Sequence, residues 1–418
     1  MKRVLYLLPL LAVFLVSRAG WAMPNFARAA GVECSTCHTN VPKLNKTGYE
    51  FRLAGYRFPN TIGQAEGKFD LGDYFAGRIQ AQMKYKKHTD VTKSKNSTSN
   101  SIEFFEATMY PLSGSWGKNY GSLVELSMAP DDVFEIENAF VRWVHGNENA
   151  WWQARFGVMH PWEGFGASDR PIGNMRPLFQ KSTAVGSPFF LWNLDEPALE
   201  VGFHNSKAMF TISGRISNGI LWKEDGSGVA DPAQGGSLSK SSKFPGANRK
   251  SFQVYADKYF ANDASVSVYA YQGAVPFPDP TNPNTTATTL DTFTRFAAYA
   301  NYYIMKEKLN GLLGFESGTD KLKDNTVAGA ANVGSSSGYF AELDYRTGFK
   351  TAYAVRYDSF DPSKKVKSNT QTAITASFNH MVRDGLQIIA DWQHKETEKG
   401  SSGKNKDEQI LIRMIFIK

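Results

Sequence analysis

From Tyr74 to Lys418 apolar and polar side chains alternate at every second position, a period that restricts this stretch to strands of a large sheet. In the first segment Arg78, Gln80, Gln82, Lys84 and Lys86 interleave with Gly77, Ile79, Ala81, Met83 and Tyr85. Arg295 and Asn301 oppose Phe296, Ala298, Ala300 and Tyr302. Glu342, Asp344 and Arg346 likewise oppose Tyr339, Ala341, Leu343 and Tyr345. Lys350, Arg356 and Asp358 oppose Phe349, Tyr353, Val355 and Tyr357, and Arg413 stands against Ile410, Ile412, Met414 and Phe416. A soluble sandwich alternates in the same way, so the alternation by itself leaves the class open.

The connections decide it. Candidate strands start near residues 74, 101, 119, 134, 150, 197, 208, 250, 265, 293, 309, 337, 349, 372, 385 and 407, about sixteen in all. Connections after even-numbered strands are short: His145–Asn149, Asn205–Lys207, Ala261–Ala264, Thr347–Gly348 and Met381–Asp384. Those after odd-numbered strands are mostly long and polar, among them His88–Asn100, His160–Glu196, Ser217–Arg249, Ala274–Thr292 and Thr319–Ser336. Short turns on one rim and long loops on the other predict an all-β, about 16-stranded transmembrane barrel in the outer membrane. Closure leaves no sheet edge and satisfies every backbone group inside lipid. Tyr85, Tyr302, Tyr345, Tyr357, Trp392 and Phe416 fall on the lipid-facing parity, where interfacial aromatics are expected. Two features resist this reading: the fourth strand mixes Asn138 and Arg142 with Ile136 and Phe140, and the chain ends on Lys418. The loops Asp90–Ser101 and Ser401–Lys406, rich in Ser, Asn and Lys, read as mobile and solvated.

Residues 1–22 carry Lys2 and Arg3, an apolar run from Val4 to Val16 and the small-residue site Gly20-Trp21-Ala22, the pattern of a secretory signal peptide. Without Lys2, Arg3 and Arg18 the formal charge falls from +7 to +4, with both signs dispersed, which is no nucleic-acid signature. Three regions follow: the signal peptide at 1–22, a small segment at 23–72 and the barrel at 73–418.

The small segment contains both cysteines of the chain, in Cys34-Ser35-Thr36-Cys37-His38. C-x-x-C-H is the attachment sequence of a c-type haem: two thiols bond the macrocycle and the adjacent histidine ligates the iron on its proximal side. The competing reading is a surface disulfide or a chance redox pair. Phe26, Ala27, Ala29 and Ala30 predict a short helix capped by Gly31. Pro42 is expected to open a second helix, with Leu44, Gly48, Phe51 and Gly55 on one face, either against the haem or in ordinary core packing. Fewer than fifty residues do not bury a haem unaided, so the barrel is the expected host.

No Met or His lies between Thr39 and Gln82, so the segment has no downstream residue to complete the iron's coordination. Candidate distal ligands are Met159, His160 and Met175, on or near the third long loop, the one that folds into the lumen of general porins; Met23 and an open site are the alternatives. His88, His145, His204, His380 and His394 read as surface or packing residues. Inward Arg78, Lys84, Arg295, Arg346, Arg356 and Arg413 either neutralise haem propionates or line a mixed-charge lumen. Acidic residues near the outer rim, Asp131, Asp132, Glu163, Asp169, Asp195 and Glu196, either attract a cation such as Fe(II) or form solvated loops. No phosphate-cradling loop, HExxH helix, zinc-spaced cluster or plausible triad occurs.

On Phe26-Ala27-Arg28, Gly31, Cys34-Ser35-Thr36-Cys37-His38, Pro42, Leu44, Gly48, Phe51 and Gly55-Tyr56 the chain resembles the fused monohaem c-type cytochrome–porins of the outer membrane. The best-known members of that family are iron oxidases of neutrophilic and acidophilic iron-oxidising bacteria. The resemblance covers about fifty residues; the barrel matches by architecture. It implies one covalent haem c at Cys34, Cys37 and His38, and electron transfer from extracellular Fe(II) to a periplasmic c-type cytochrome, an oxidoreductase role if iron is the donor. Two rival functions are a diffusion porin whose haem segment is a gate or sensor, and electron export to extracellular acceptors.

Overall fold

The computed structural model describes residues 25–65, 70–91, 93, 95–129, 135–159, 171–181, 196–217, 221–222, 229–230, 250–260, 264–278, 288–305, 308–322, 334–364, 367–399 and 403–418. The N-terminal part contains helix α1 (Asn25–Ala30), strands β1 (His38–Asn40) and β2 (Lys43–Leu44), and helix α2 (Lys46–Leu53). Strands β3 (Ala76–Asp90), β4 (Lys95–Tyr110), β5 (Gly114–Trp116), β6 (Tyr120–Met128), β7 (Glu135–Asn147) and β8 (Ala150–Met159) follow. A one-turn helix α3 (Leu178–Lys181) precedes β9 (Glu196–Asn205) and β10 (Phe210–Ser217). The two-residue strands β11 (Leu221–Trp222) and β12 (Val229–Ala230) pair with each other. The remainder is β13 (Ser251–Tyr259), β14 (Ser265–Pro278), β15 (Thr288–Met305), β16 (Leu309–Leu322), β17 (Ser335–Gly348), β18 (Thr351–Asp361), β19 (Gln371–Arg383), β20 (Leu386–Glu398) and β21 (Lys404–Ile417).

Strands β3 to β10 and β13 to β21 form one closed antiparallel barrel. Closure comes from the last strand on the first, with Ile410 opposite Tyr85, Arg413 opposite Gln82 and Ile417 opposite Arg78. β5 continues β4 after an interruption at 111–113, since β6 pairs first with Met109 and then with Gly114. Counted this way the barrel makes sixteen passes, as expected from the connection lengths.

The side chains are sorted as the alternation requires. Ile79, Met83, Ile102, Val141, Phe156, Val254, Leu313 and Val355 are exposed on the outside, whereas Gln80, Gln82, Arg142, Arg155, Glu342, Asp344, Arg346, Arg356 and Arg413 are buried within. An apolar exterior around a charged interior is the reverse of a soluble protein and is what a lipid-spanning barrel needs. The mixed fourth strand has a simple cause. In β7, Asn138, Phe140, Arg142 and Val144 all point inward, and the two apolar members meet the N-terminal segment instead of water.

Two of the expected loops are partly strand over their described residues. β3 and β4 continue to the pair Asp90–Lys95, and β21 begins at Lys404, so most of 88–100 and part of 401–406 are ladder. Loss of hydrophobic alternation marks the end of the lipid belt, but backbone pairing continues through Ser, Thr and Asn because it needs no apolar face. The third long loop does turn inward over its described part, 171–181. Its amides at Ile172, Asn174 and Leu178 donate to Glu342 (3.1 Å), Asp391 (2.8 Å) and Asp358 (3.3 Å) on the far wall.

Candidate haem-binding cleft in the barrel lumen

The segment from Asn25 to Ile62 sits inside the lumen at the end bearing the short turns. It is tied to the wall on several sides. Arg142 Nη1 donates to the carbonyls of Arg52 (2.8 Å) and Leu53 (3.1 Å), capping the C-terminal end of α2 with a cation. Arg57 donates to Gly117, Lys118 and Tyr120 at the β5–β6 turn. Tyr49 donates to Thr211 (2.7 Å), and Glu50 meets His204 at 3.2 Å. On the other side Lys43 pairs with Asp344 (3.4 Å), Asn40 donates to the Phe349 carbonyl (3.0 Å), and Asn379 and Gln387 donate to the Val41 carbonyl (3.0 and 2.7 Å). Gly55 and Gly121 allow backbone to lie on backbone, since a Cβ on Gly121 would stand 2.3 Å from the Gly55 oxygen.

Within this plug the motif is held by α2. Asn45 is the N-cap: its side-chain oxygen accepts from the Gly48 amide at 2.9 Å. Its own amide donates to the Cys37 carbonyl (2.9 Å), and its Nδ2 donates to the Thr36 carbonyl (3.0 Å). One residue therefore starts the helix and locks the last turn of the cysteine loop to it. The helix begins at Lys46 and not at Pro42, because this capping asparagine, and not the proline, supplies the first acceptor; Pro42 lies in the β1–β2 turn. Gly31, at φ +65°, ends α1 as expected, its amide donating to the Arg28 carbonyl.

The motif opens on an apolar cleft of about 690 Å³ of free space, mouth included. Cys34, Cys37 and His38 line one wall, and Phe26, Ala30, Leu44, Phe51 and Tyr56 line the others. Phe26 stacks on Tyr56 with ring centroids 4.7 Å apart and 4° between planes. His38 Nδ1 lies 3.2 Å from the Pro42 carbonyl, which accepts only, so Nδ1 carries the proton and Nε2 is the nitrogen available as a ligand. Surrounding protein pulls the His38 imidazole down to about 4 although part of the ring still faces the cleft, and the ring is therefore neutral, the form that binds metal. Burial raises both thiols, with Cys37 pushed up to about 11; for Cys34 the charge of Asp384 adds to the effect. The donor set, the apolar walls and the Tyr56 hydroxyl, a buried group with no hydrogen-bond partner among the described residues, fit a covalently attached haem.

The structure distributes the remaining candidates unequally. Met159 is fully buried in the cluster formed by Phe51, Tyr56, Phe140 and Ala198, against which Phe26 and Cys37 also pack. Met175 is buried elsewhere, its carbonyl accepting from Arg356 (2.9 Å). His160 and Met23 lie outside the described residues, as do Asp131, Asp132, Glu163, Asp169 and Asp195 and the side chain of Glu196. The lumen arginines expected at the propionates make contacts on the barrel wall: Arg346 meets Asp344 (3.3 Å), Arg356 meets Asp358 (2.9 Å), Arg78 meets Glu106 (2.6 Å) and Arg413 donates to Gln82 (2.8 Å). His204 proves to be an inward, fully buried anchor of the plug. Sequence reasoning missed Asn45, Tyr56 as a cleft residue, and Arg142. For Asn45 the cue was present, an Asn three residues before the glycine it caps.

No protein-family model matches the chain, and no curated protein matches its sequence. Solved structures do match in shape. The anion-selective porin from Comamonas acidovorans superposes with a TM-score of 0.53 at 12% identity, covering 82% of this chain and 98% of that one. The fold is that of an outer-membrane porin. OprB of Pseudomonas putida (TM-score 0.53, 10% identity, 82% and 94% covered) and the outer membrane channel DcaP of Acinetobacter baumannii (0.52, 9%, 82% and 96%) are similar to the same degree. At these identities the likeness extends to the fold alone.

Proposed function

We propose that this barrel carries one haem c, bound through Cys34 and Cys37 and ligated by His38, and that it moves electrons across the outer membrane. The observation that supports this is the placement of the complete C-x-x-C-H motif on the wall of an apolar cleft inside a closed, lipid-spanning barrel. A hydrocarbon layer about 30 Å thick insulates against electron transfer, and a carrier held in the lumen shortens the gap. The haem supplies a one-electron carrier; the chain supplies its position, the His38 donor with a fixed tautomer, and apolar walls that exclude water. Donor and acceptor follow from the family resemblance of residues 26–56: extracellular Fe(II) is oxidised, and a periplasmic c-type cytochrome receives the electrons. The haem-loaded protein, produced in a host that attaches c-type haem, is mixed with Fe(II) at near-neutral pH in a stopped-flow spectrophotometer. Reduction of the haem is expected, and its absence would remove iron as the donor.

The rival reading is a diffusion porin whose haem segment gates it. The anchors found on opposite walls of the lumen argue for a fixed plug. Planar-bilayer recordings separate the two: large open-channel currents from the haem-loaded protein would favour the porin. Electron export uses the same residues with the opposite driving force, and a strongly negative haem potential would point to it.

A further inference from the structure

A second cavity lies on the short-turn rim beside the cleft, with Leu44 contributing to the walls of both. It holds about 860 Å³ of free space, mouth included, between the plug (Lys43, Lys46, Thr47) and the barrel wall (Tyr259, Asn301, Arg346). Three of these residues are cations. Asp344 meets Lys43 at 3.4 Å and Arg346 at 3.3 Å, so three positive charges and one negative leave +2 around the cavity. Arg346 is 2% exposed; its Nε faces Asp344 Oδ1 at 3.3 Å, its Nη2 makes no hydrogen bond among the described residues, and its guanidinium lies 5.0 Å from the Tyr303 ring centroid. Lys46 and Thr47 also open helix α2, where the first amides have no partner within the helix and the positive end of its dipole emerges. The N-cap side chain is already committed to Gly48 and leaves those two amides to another acceptor.

We propose that this cavity binds a small oxyanion, a phosphate or a carboxylate group, held by Arg346, Lys46 and the first amides of α2. A surplus of cations, a buried guanidinium with its Nη2 unused and a helix N-terminus converge on one space, and each favours a compact anion with several acceptor oxygens. Such a group has two sources. One is a free anion from the aqueous phase at the rim; the other is a propionate of a haem in the neighbouring cleft, a source that rests on the haem reading above.

Inorganic phosphate is titrated calorimetrically into two full-length proteins, the haem-loaded protein and a Cys34→Ala/Cys37→Ala variant, at constant ionic strength. Saturable one-site binding is expected in at least one of them, weakened about tenfold or more by Arg346→Gln and by Lys46→Gln. Binding to the loaded protein assigns the site to a free anion, and binding to the haem-free variant alone assigns it to a propionate. Lys46 is only half-buried, so Lys46→Gln remains informative if Arg346→Gln disturbs the barrel. Absence of saturable binding in both proteins, or binding that neither substitution weakens, overturns the proposal. The haem-free arm is independent of whether haem is attached, so this result and a failure of the haem reading are told apart.

Discussion

Gly48 is where the cleft is most vulnerable to a single methyl group. A Cβ there would stand 2.1 Å from the Cys37 carbonyl oxygen and 2.9 Å from Cδ2 of Leu44, whereas ordinary contact begins at 3.4 Å. In Gly48→Ala the helix and the cysteine loop must therefore part by 3.4 − 2.1 = 1.3 Å. They cannot part freely, because the Asn45 bonds to Cys37 (2.9 Å) and Thr36 (3.0 Å) hold them together. Overpacking costs about 1–3 kcal/mol and each broken hydrogen bond about 0.5–1.5 kcal/mol, giving about 2–6 kcal/mol if both bonds are lost. That strain falls on the plug, since the three atoms nearest such a Cβ belong to Cys37 and Leu44. The assay is covalent haem per polypeptide and the haem absorption spectrum, with heat-modifiable gel mobility as the reading of the barrel. Haem content is expected to fall while the barrel persists. Gly77→Ala is the control, since a Cβ there meets nothing within 4 Å. Full haem content with an unaltered spectrum in Gly48→Ala would refute the idea that close packing of α2 on the motif shapes the cleft.

Three further outcomes are expected. Among the described residues Met159, and not Met175, shares packing with the cleft walls, so Met159→Leu removes any sulfur-to-iron charge-transfer band and Met175→Leu leaves it; the reverse pattern would assign the ligand to the third loop. Arg142→Met removes the guanidinium donor from the carbonyls of Arg52 and Leu53, a loss of about 1–3 kcal/mol local to the plug, and single-channel recordings should show more frequent or larger openings than in the parent. Val355, 58% exposed on the outer face of β18, should tolerate Leu, whereas Val355→Arg costs about 2–4 kcal/mol if it lies near the bilayer midplane, read as a lower urea midpoint for the barrel in lipid vesicles.

The barrel was legible because lipid on one side and a polar lumen on the other impose a period of two on every strand, and because turn lengths differ between the rims. Strand starts follow the alternation closely where both faces are constrained, as at Ala150, Ser265 and Leu309. Strand ends beyond the lipid belt are less legible, since Ser97, Thr98 and Asn96 pair through backbone groups that leave no trace in side-chain type. The site was half legible. Cys34, Cys37 and His38 announce themselves by spacing, but the residues that hold them act across the fold. Arg142 lies 90 positions from the carbonyl of Arg52 that it caps, and Tyr49 lies 162 positions from Thr211. Such pairs have no local sequence signature. Phe140 in β7 looked like an irregularity of the barrel pattern and is, together with Val144, the imprint of the plug on its wall.

That imprint bears on why a segment carrying C-x-x-C-H and a barrel would share one chain. A plug held at one point would release as that contact opens, but here polar bonds reach it from β7, β10, β17, β19 and β20, and from the turn before β6. Opening a path for solutes means breaking bonds on several walls together, whereas an electron requires no open path, only a short gap. The same arrangement that obstructs diffusion therefore fixes the C-x-x-C-H wall at one end of the lumen. Beside it lies the inward part of the third loop, held by its amides to Glu342, Asp358 and Asp391 and joined to the plug through Asn379, which donates to the carbonyls of both Val41 and Ile172. A lumen crossed by fixed polar anchors at one end and a carboxylate-bound loop beside them suits a stationary carrier better than a gate, because a gate requires one set of these contacts to be weak.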